Sequence, residues 1–313
     1  MFKKLFNIKN FIKFLKKPSL ILKLFKKINY YPGLKFGYSR SKLYKKTEIY
    51  FTMFFAKKNK VFKNIFFSED SSVDNNHYFK FDRDECLDSL QLESIKKNGI
   101  IVLENVLDAE EFSKIKAEIN EKVLSEQVKK NGEINLVRTD DLYKLSLNYD
   151  IQKSKRLTEI SDVVSSKIYG IKVEPTSSII FTKAIKVPEK TYSGDNNLHP
   201  DRYLPNLKIF FYTKNVSLDE APFSYAVGSH KINRNYLNYY LENESYIFDD
   251  RNPKSEIFLK HSKKFPVKEN SLIIALTNGF HGRAKFKQPL DRTAIFIQYP
   301  KYNLISLLRS SFF

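Results

Sequence analysis

From residue 171 onward the chain breaks into short apolar segments, at 178–181, 207–213, 223–227, 271–276 and 293–299, separated by turn-forming residues and without helical crossovers at regular spacing. Parallel strands need crossovers of a dozen or more residues, usually helical, so this pattern argues against a doubly wound sheet. It selects an antiparallel sandwich or barrel of the jelly-roll kind. No internal repeat is present.

Two helices are expected before this β-rich half. Asn98-Gly99 reads as a turn, 100–106 as a strand, and Asp108 as a helix cap with Glu111 at the reciprocal capping-box position. Phe112, Ile115, Ile119 and Val123 then line one helical face, and Asn131-Gly132 supplies a stop. A second helix over 154–168 carries Leu157, Ile160, Val164 and Ile168 at helical spacing, with Gly170 beyond it. The expected class is therefore mainly β with flanking helices.

The net charge of +19 suggests a nucleic-acid partner until its distribution is considered, because residues 1–47 hold 14 Lys or Arg and no acid. The remainder carries only +5, so nucleic acid is not the expected partner. Residues 1–75 read as a basic N-terminal extension and 76–313 as the globular domain. Within the extension, Leu20, Ile21, Leu24, Phe25 and Ile28 share one helical face opposite Lys23, Lys26 and Lys27. Such a helix suits an anionic membrane surface, each Lys near it contributing about 1 kcal/mol. The alternative is a helix packed on its own domain. The single cysteine, Cys86, rules out an intramolecular disulfide framework, and no secretory leader is recognisable, so a cytoplasmic location, peripheral to a membrane if the helix binds one, is expected. No apolar run approaches the ~20 residues needed to span a bilayer.

Histidine is scarce, at 77, 199, 230, 261 and 281, so the context of each carries weight. His199-Pro200-Asp201 precedes the apolar strand 207–213, and about eighty residues later His281 follows the strand 271–276 and the turn Thr277-Asn278-Gly279. If those strands are neighbours in an antiparallel barrel, two imidazoles and a carboxylate meet at one end. That set binds one face of a metal and leaves positions open, as non-haem iron(II) oxygenases require. A 2-oxo acid chelating the iron needs its distal carboxylate held, and Arg292, at the head of strand 293–299, offers a bidentate guanidinium. The other reading of Arg292 is a surface residue after a turn.

Three stretches together resemble the phytanoyl-CoA dioxygenase family of iron(II)/2-oxoglutarate oxygenases. They are Asn98-Gly-Ile-Ile-Val-Leu-Glu-Asn-Val-Leu-Asp-Ala-Glu-Glu111, the run from His199-Pro-Asp201 to Gly228-Ser-His-Lys231, and His281-Gly282 with Arg292, spread over about residues 80–300. The resemblance implies a double-stranded β-helix, the jelly-roll core also found in cupins, with helices packed outside it. It implies Fe(II), 2-oxoglutarate and dioxygen as cofactor and co-substrates, with release of succinate and carbon dioxide. His199, Asp201 and His281 would be metal ligands and catalytic residues, with Arg292 and Lys183 contacting 2-oxoglutarate. Asp201 favours hydroxylation, since halogenating relatives lack that carboxylate. His230 of the Gly-Ser-His-Lys turn is then structural. Two positions depart from the family pattern: Arg283 replaces a small hydroxyl residue, and Ala221 replaces a glycine. Arg283 either alters cofactor contacts, supplies a charge for an anionic substrate, or is solvated.

The expected substrate is a small metabolite, lipid-like or anionic. Two other functions stay open. A nucleic-acid demethylase of the same barrel expects a second arginine about six residues after Arg292, where this chain has Gln298. A catalytically idle barrel would bind a ligand or tether a partner at a membrane.

Overall fold

The computed structural model describes residues 65–66, 80–81, 88–129, 142–169, 174–184, 198–201, 206–232, 260–283 and 287–299. In chain order the elements are β1 (Lys80–Phe81), α1 (Ser89–Asn98), β2 (Ile100–Leu103), α2 (Ala109–Lys129), β3 (Leu142–Asn148), α3 (Lys155–Tyr169), β4 (Thr176–Ala184), β5 (Leu207–Tyr212), β6 (Phe223–Ala226), β7 (Ser262–Phe265), β8 (Ser271–Leu276), β9 (His281–Arg283) and β10 (Leu290–Gln298). Residues 20–28 and 131–132, on which two of the expectations above fall, lie outside the described residues.

The strands form a large sheet in the order β1-β2-β8-β5-β10-β4-β3 and a small one in the order β7-β6-β9. Every pairing is antiparallel except β1 with β2. Alternation along the strands sends side chains to two separate cores. One face of the large sheet, with Ile101, Leu272, Ile274, Ile209, Phe211, Ile295 and Ile179, packs on Ile115 and Ile119 of α2 and Leu157, Ile160 and Val164 of α3. The other face, with Val102, Ile273, Ala275, Tyr212 and Ala294, packs on Phe223, Tyr225 and Phe265 of the small sheet. This is the double-stranded β-helix, with helices laid on the outside of one sheet. Strand β8 is covered on both faces and all six of its residues are buried, which is why it reads as an unbroken apolar run. Strands β5 and β8 are hydrogen-bonded neighbours, as the metal-site argument requires.

The start of α2 follows its sequence signal with one correction, and the expected stop at Gly170 lies outside the described residues. Asp108 Oδ1 accepts from Glu111 N at 2.8 Å, as a cap should. The Glu111 carboxylate does not close the box, because it accepts from Ser154 Oγ at 2.6 Å. Ser154 Oγ in turn accepts from Leu157 N at 3.1 Å, so one acid ties the start of α2 to the start of α3. Helix α1 is capped by Asp88, whose Oδ1 accepts from Gln91 N, and ends at Gly99 with φ 80° and its N–H on Ile95 O.

The hydrophobic core includes residues upstream of β1. Ile65 and Phe66 are buried within it, and Phe66 O accepts from Ile232 N at 2.8 Å. Among the described residues, no helix is long and apolar enough to cross a membrane.

Asn270 shows how the β2–α2 connection is held. It occupies the left-handed region at φ 60°, which asparagine tolerates better than other side-chain-bearing residues. Its Oδ1 accepts from Leu107 N at 2.9 Å and its Nδ2 donates to Leu107 O at 2.8 Å. Losing both bonds beside the buried Leu107 backbone costs about 2–4 kcal/mol. Asn270→Ala is therefore expected to lower the urea midpoint by that equivalent. Asn270→Asp keeps the acceptor for Leu107 N but sets an oxygen against Leu107 O, so it should also be destabilising.

Candidate metal centre

The two ligand-bearing segments are sewn together by backbone. His199 N donates to His281 O at 2.8 Å and His281 N to His199 O at 3.0 Å, so the first histidine extends the small sheet at β9. Asp201 N donates to Thr277 O at 2.9 Å, which aligns the carboxylate with the turn leading into His281. The rings of His199 and His281 lie 4.9 Å apart. One donor atom from each of His199, Asp201 and His281 falls within 4.8 Å of the others.

Each ligand is oriented by its surroundings. The His281 ring is buried and lies 5.8 Å from the Phe223 ring in a stacked arrangement. Its Nδ1–H donates to Gly279 O at 3.0 Å, so Nε2 carries the lone pair and points toward Asp201 Oδ2, 3.7 Å away. Burial pulls the His281 pKa down to about 4, and the Asp201 charge opposes this only in part. The imidazole is therefore neutral at neutral pH, as a ligand must be. Asp201 Oδ2 accepts from Asn206 Nδ2 at 2.9 Å and pairs with Lys208 Nζ at 2.6 Å. Burial alone would raise the Asp201 pKa, but His281 and Lys208, with hydrogen bonds from Lys208 and Thr277, hold it well below the usual carboxylate range. Asn206 Nδ2 also donates to Thr277 Oγ1 at 2.8 Å, bracing the carboxylate from behind.

This donor set fits a divalent first-row metal. Metal–nitrogen and metal–oxygen bonds of ~2 Å place neighbouring donors roughly 3 Å apart, a spacing that small side-chain rotations reach from the positions seen here. Two imidazoles and one carboxylate are the facial set that leaves positions open.

Arg292 is half-buried on the face of β10 that also carries Ala294 and Phe296, turned toward the small sheet. Its Nη1 donates to Ala221 O at 3.1 Å. Ala221 sits at φ 55°, the left-handed conformation glycine adopts without strain. Lys183 is not brought to this face. It is exposed and in register with Asp291, whereas Arg292 is in register with Thr182. The expected lysine contact is therefore displaced by one residue of strand alternation. Thr182 is buried and its Oγ1 has no hydrogen-bond partner. Nearby, the buried Tyr212 phenol has its pKa raised by desolvation, an effect the Arg292 charge opposes.

The sequence reading missed Asn206, Lys208, Thr182 and Tyr212. Only Lys208 carried a visible signal, as the single charge in the apolar strand Leu207–Tyr212. His230 is structural, as expected: it is fully buried, its Nε2 donates to Lys96 O at 3.0 Å, and burial lowers its pKa to about 3. His261 is half-exposed, and its carbonyl accepts from Val227 N. His77 and Cys86 lie outside the described residues.

No protein-family model matches the chain, and no curated protein does. Among solved structures, it is similar to EctD from S. alaskensis in its apo form, at 15% identity over 72% of this chain and 81% of that one, with a TM-score of 0.49. The epimerase SnoN in complex with Fe3+, alpha ketoglutarate and nogalamycin RO matches at 12% identity over 68% and 84%, TM-score 0.47. HygX from Streptomyces hygroscopicus with nickel and 2-oxoglutarate matches at 14% identity over 69% and 87%, TM-score 0.41. At these scores the fold assignment rests on the strand order and the two-faced core described above.

Proposed function

We propose that the chain is an iron(II)- and 2-oxoglutarate-dependent dioxygenase of the phytanoyl-CoA dioxygenase type, hydroxylating a small molecule. One observation carries the reading: donor atoms from His199, Asp201 and His281, distant in sequence, cluster within 4.8 Å. The alignment of Arg292 with the same interior supports it.

The iron and 2-oxoglutarate, when bound, supply dioxygen activation coupled to oxidative decarboxylation, which yields succinate, carbon dioxide and an oxygen atom for a substrate C–H bond. The chain's own residues prepare for this. His199, Asp201 and His281 would hold the metal, with the His281 tautomer fixed by Gly279 O and the Asp201 carboxylate kept ionised by Lys208. Arg292 would grip the distal carboxylate of 2-oxoglutarate, and the Thr182 hydroxyl, without a partner in the protein, would donate to the same group. The Phe210 ring, 5.2 Å from that of Phe223 and 5.1 Å from that of Phe296, would give the site an apolar wall.

Arg292→Ala removes charge-assisted bonds of about 1.5–3 kcal/mol each. It is expected to weaken 2-oxoglutarate binding roughly 100-fold while metal affinity is retained. Anaerobic titration of iron(II) and then 2-oxoglutarate, followed through the weak visible charge-transfer band of such centres, checks this. An unchanged 2-oxoglutarate requirement in Arg292→Ala refutes the residue's role. A wild-type protein that gives no band refutes the dioxygenase reading and favours a ligand-binding barrel.

A further inference from the structure

We infer that the substrate lies along the inner face of β5, β10 and β4, with an apolar portion against Phe210 and Phe296 and an uncharged carboxamide or hydroxyl group bonded to Gln298. The inference rests on the dioxygenase reading above and names the chemistry of its substrate.

Exposure picks out one end of the large sheet's inner face. On β2 and β8, which pack against the small sheet, Ile100, Val102, Ile273 and Ala275 are all 0% exposed. On β5, β10 and β4 the same face carries Lys208, Phe210, Phe296, Gln298 and Ser178, and each of these stays half-buried. They are contiguous, because directly opposed residues share a face. Gln298 opposes Lys208 on β5, and Phe296 opposes Phe210 on one side and Ser178 on the other. Farther along the strands Tyr212 and Ala294 are buried again. The accessible patch also adjoins the metal ligands. Lys208 Nζ lies 2.6 Å from Asp201 Oδ2 and 5.4 Å from the Phe296 ring centre. The Phe223 ring links Phe210 to His281, at 5.2 and 5.8 Å.

Hydrogen bonding decides what the patch recognises. Its ammonium is already engaged, since Lys208 is paired with Asp201. The Gln298 backbone carbonyl accepts from Thr176 Oγ1 at 3.3 Å, yet among the described residues nothing bonds to the Gln298 side-chain amide or to the Ser178 hydroxyl. A carboxamide carries two donors and an acceptor oxygen. A ligand lying over Phe296 shields that amide from water, and a polar group shielded without a partner costs more than a made bond returns. The patch therefore favours a ligand that brings its own donor and acceptor to Gln298, and rejects an analogue lacking them. A carboxamide or a hydroxyl does both, whereas a carboxylate only accepts. Phe210 and Phe296, with ring centres 5.1 Å apart, offer the adjoining apolar surface.

The test uses the full chain loaded with Mn(II) and saturating 2-oxoglutarate, into which benzamide, benzyl alcohol or benzoate is titrated. Paramagnetic relaxation of the probe's ring protons reports binding beside the metal. Wild type is expected to relax benzamide or benzyl alcohol at about millimolar affinity, and which of them binds more tightly separates carboxamide from hydroxyl. Benzoate should bind more weakly than the preferred probe. Gln298→Met, which keeps the length of the side chain but not its hydrogen bonds, is expected to weaken the preferred probe by about fivefold to tenfold. Ser178→Leu, which fills the patch beside Phe296, should weaken it by a similar factor, with Mn(II) and 2-oxoglutarate affinity unchanged in both variants. The inference is overturned if benzoate binds more tightly than both uncharged probes, if either variant binds the preferred probe as wild type does, or if no probe is relaxed in wild type that holds Mn(II) and 2-oxoglutarate. Binding of Mn(II) and 2-oxoglutarate to wild type, measured first, separates the two levels. Their absence removes the dioxygenase reading itself, whereas their presence with no relaxed probe removes only the Gln298 subsite.

Discussion

Replacing His281 by alanine is expected to strip the protein of its metal and reduce 2-oxoglutarate turnover to background, with the fold retained. The ligand group is lost outright, and mutating even the outer partners of metal ligands commonly costs 10–100-fold in affinity. Loss of a ligand from a three-residue set should therefore exceed about 1,000-fold. The fold survives because His281 contributes to the sheet through its backbone, which pairs with His199 and Tyr225 whatever the side chain. The ring leaves a small void against Phe223, a loss of about 2–4 kcal/mol by analogy with large-to-alanine changes. Anaerobic equilibrium dialysis with iron(II), beside a thermal melt of the same samples, separates the two effects. A His281→Ala protein that melts cooperatively and still binds one iron at wild-type affinity would show that the cluster is not the metal site.

Much of this site was legible because its chemistry depends on residue type and spacing. His199, Asp201, His281 and Arg292 stand beside strands whose apolar runs announce themselves, and β5 and β8 pair as the argument needs. What could not be read depends on register and on long-range partners. Lys183 and Thr182 are adjacent in sequence, yet the pairing of β4 with β10 turns Thr182 toward Arg292 and Lys183 away from it. A shift of one residue exchanges the faces of a strand, and local sequence does not record which alignment the sheet selects. Strand β9 has three residues and too little pattern to be seen, although its backbone joins the two histidines. Glu111 sat in a capping-box spacing, but Ser154, 43 residues away, captured its carboxylate. Arg283 was visible as a departure from a family pattern, and only the alternation within β9 assigns it to the face of His281.

Gly99→Ala is expected to cost about 3–6 kcal/mol of stability. Part of the cost is local: Gly99 ends α1 at φ 80°, where an L side chain costs roughly 1–2 kcal/mol. The larger part is steric. A Cβ at this position meets the Tyr225 hydroxyl and the His230 ring, with His230 Cγ at 2.9 Å, and both groups are fully buried. Neither can retreat without breaking a bond, because Tyr225 Oη donates to Leu276 O at 2.8 Å and His230 Nε2 to Lys96 O. Each lost bond adds about 1 kcal/mol. Against a total stability of ~5–15 kcal/mol, that is enough to lower the melting temperature by roughly 10 °C or more. The damage also points at the metal centre. Leu276 is the residue before the Thr277–Phe280 turn that delivers His281, and Tyr225 is in register with His281 itself. Samples that remain folded at low temperature should therefore bind metal more weakly than wild type. A Gly99→Ala melt within about 3 °C of wild type would mean that Tyr225 and His230 have room to move, and the close packing of α1 against the β6–β8 region would not be what positions His281.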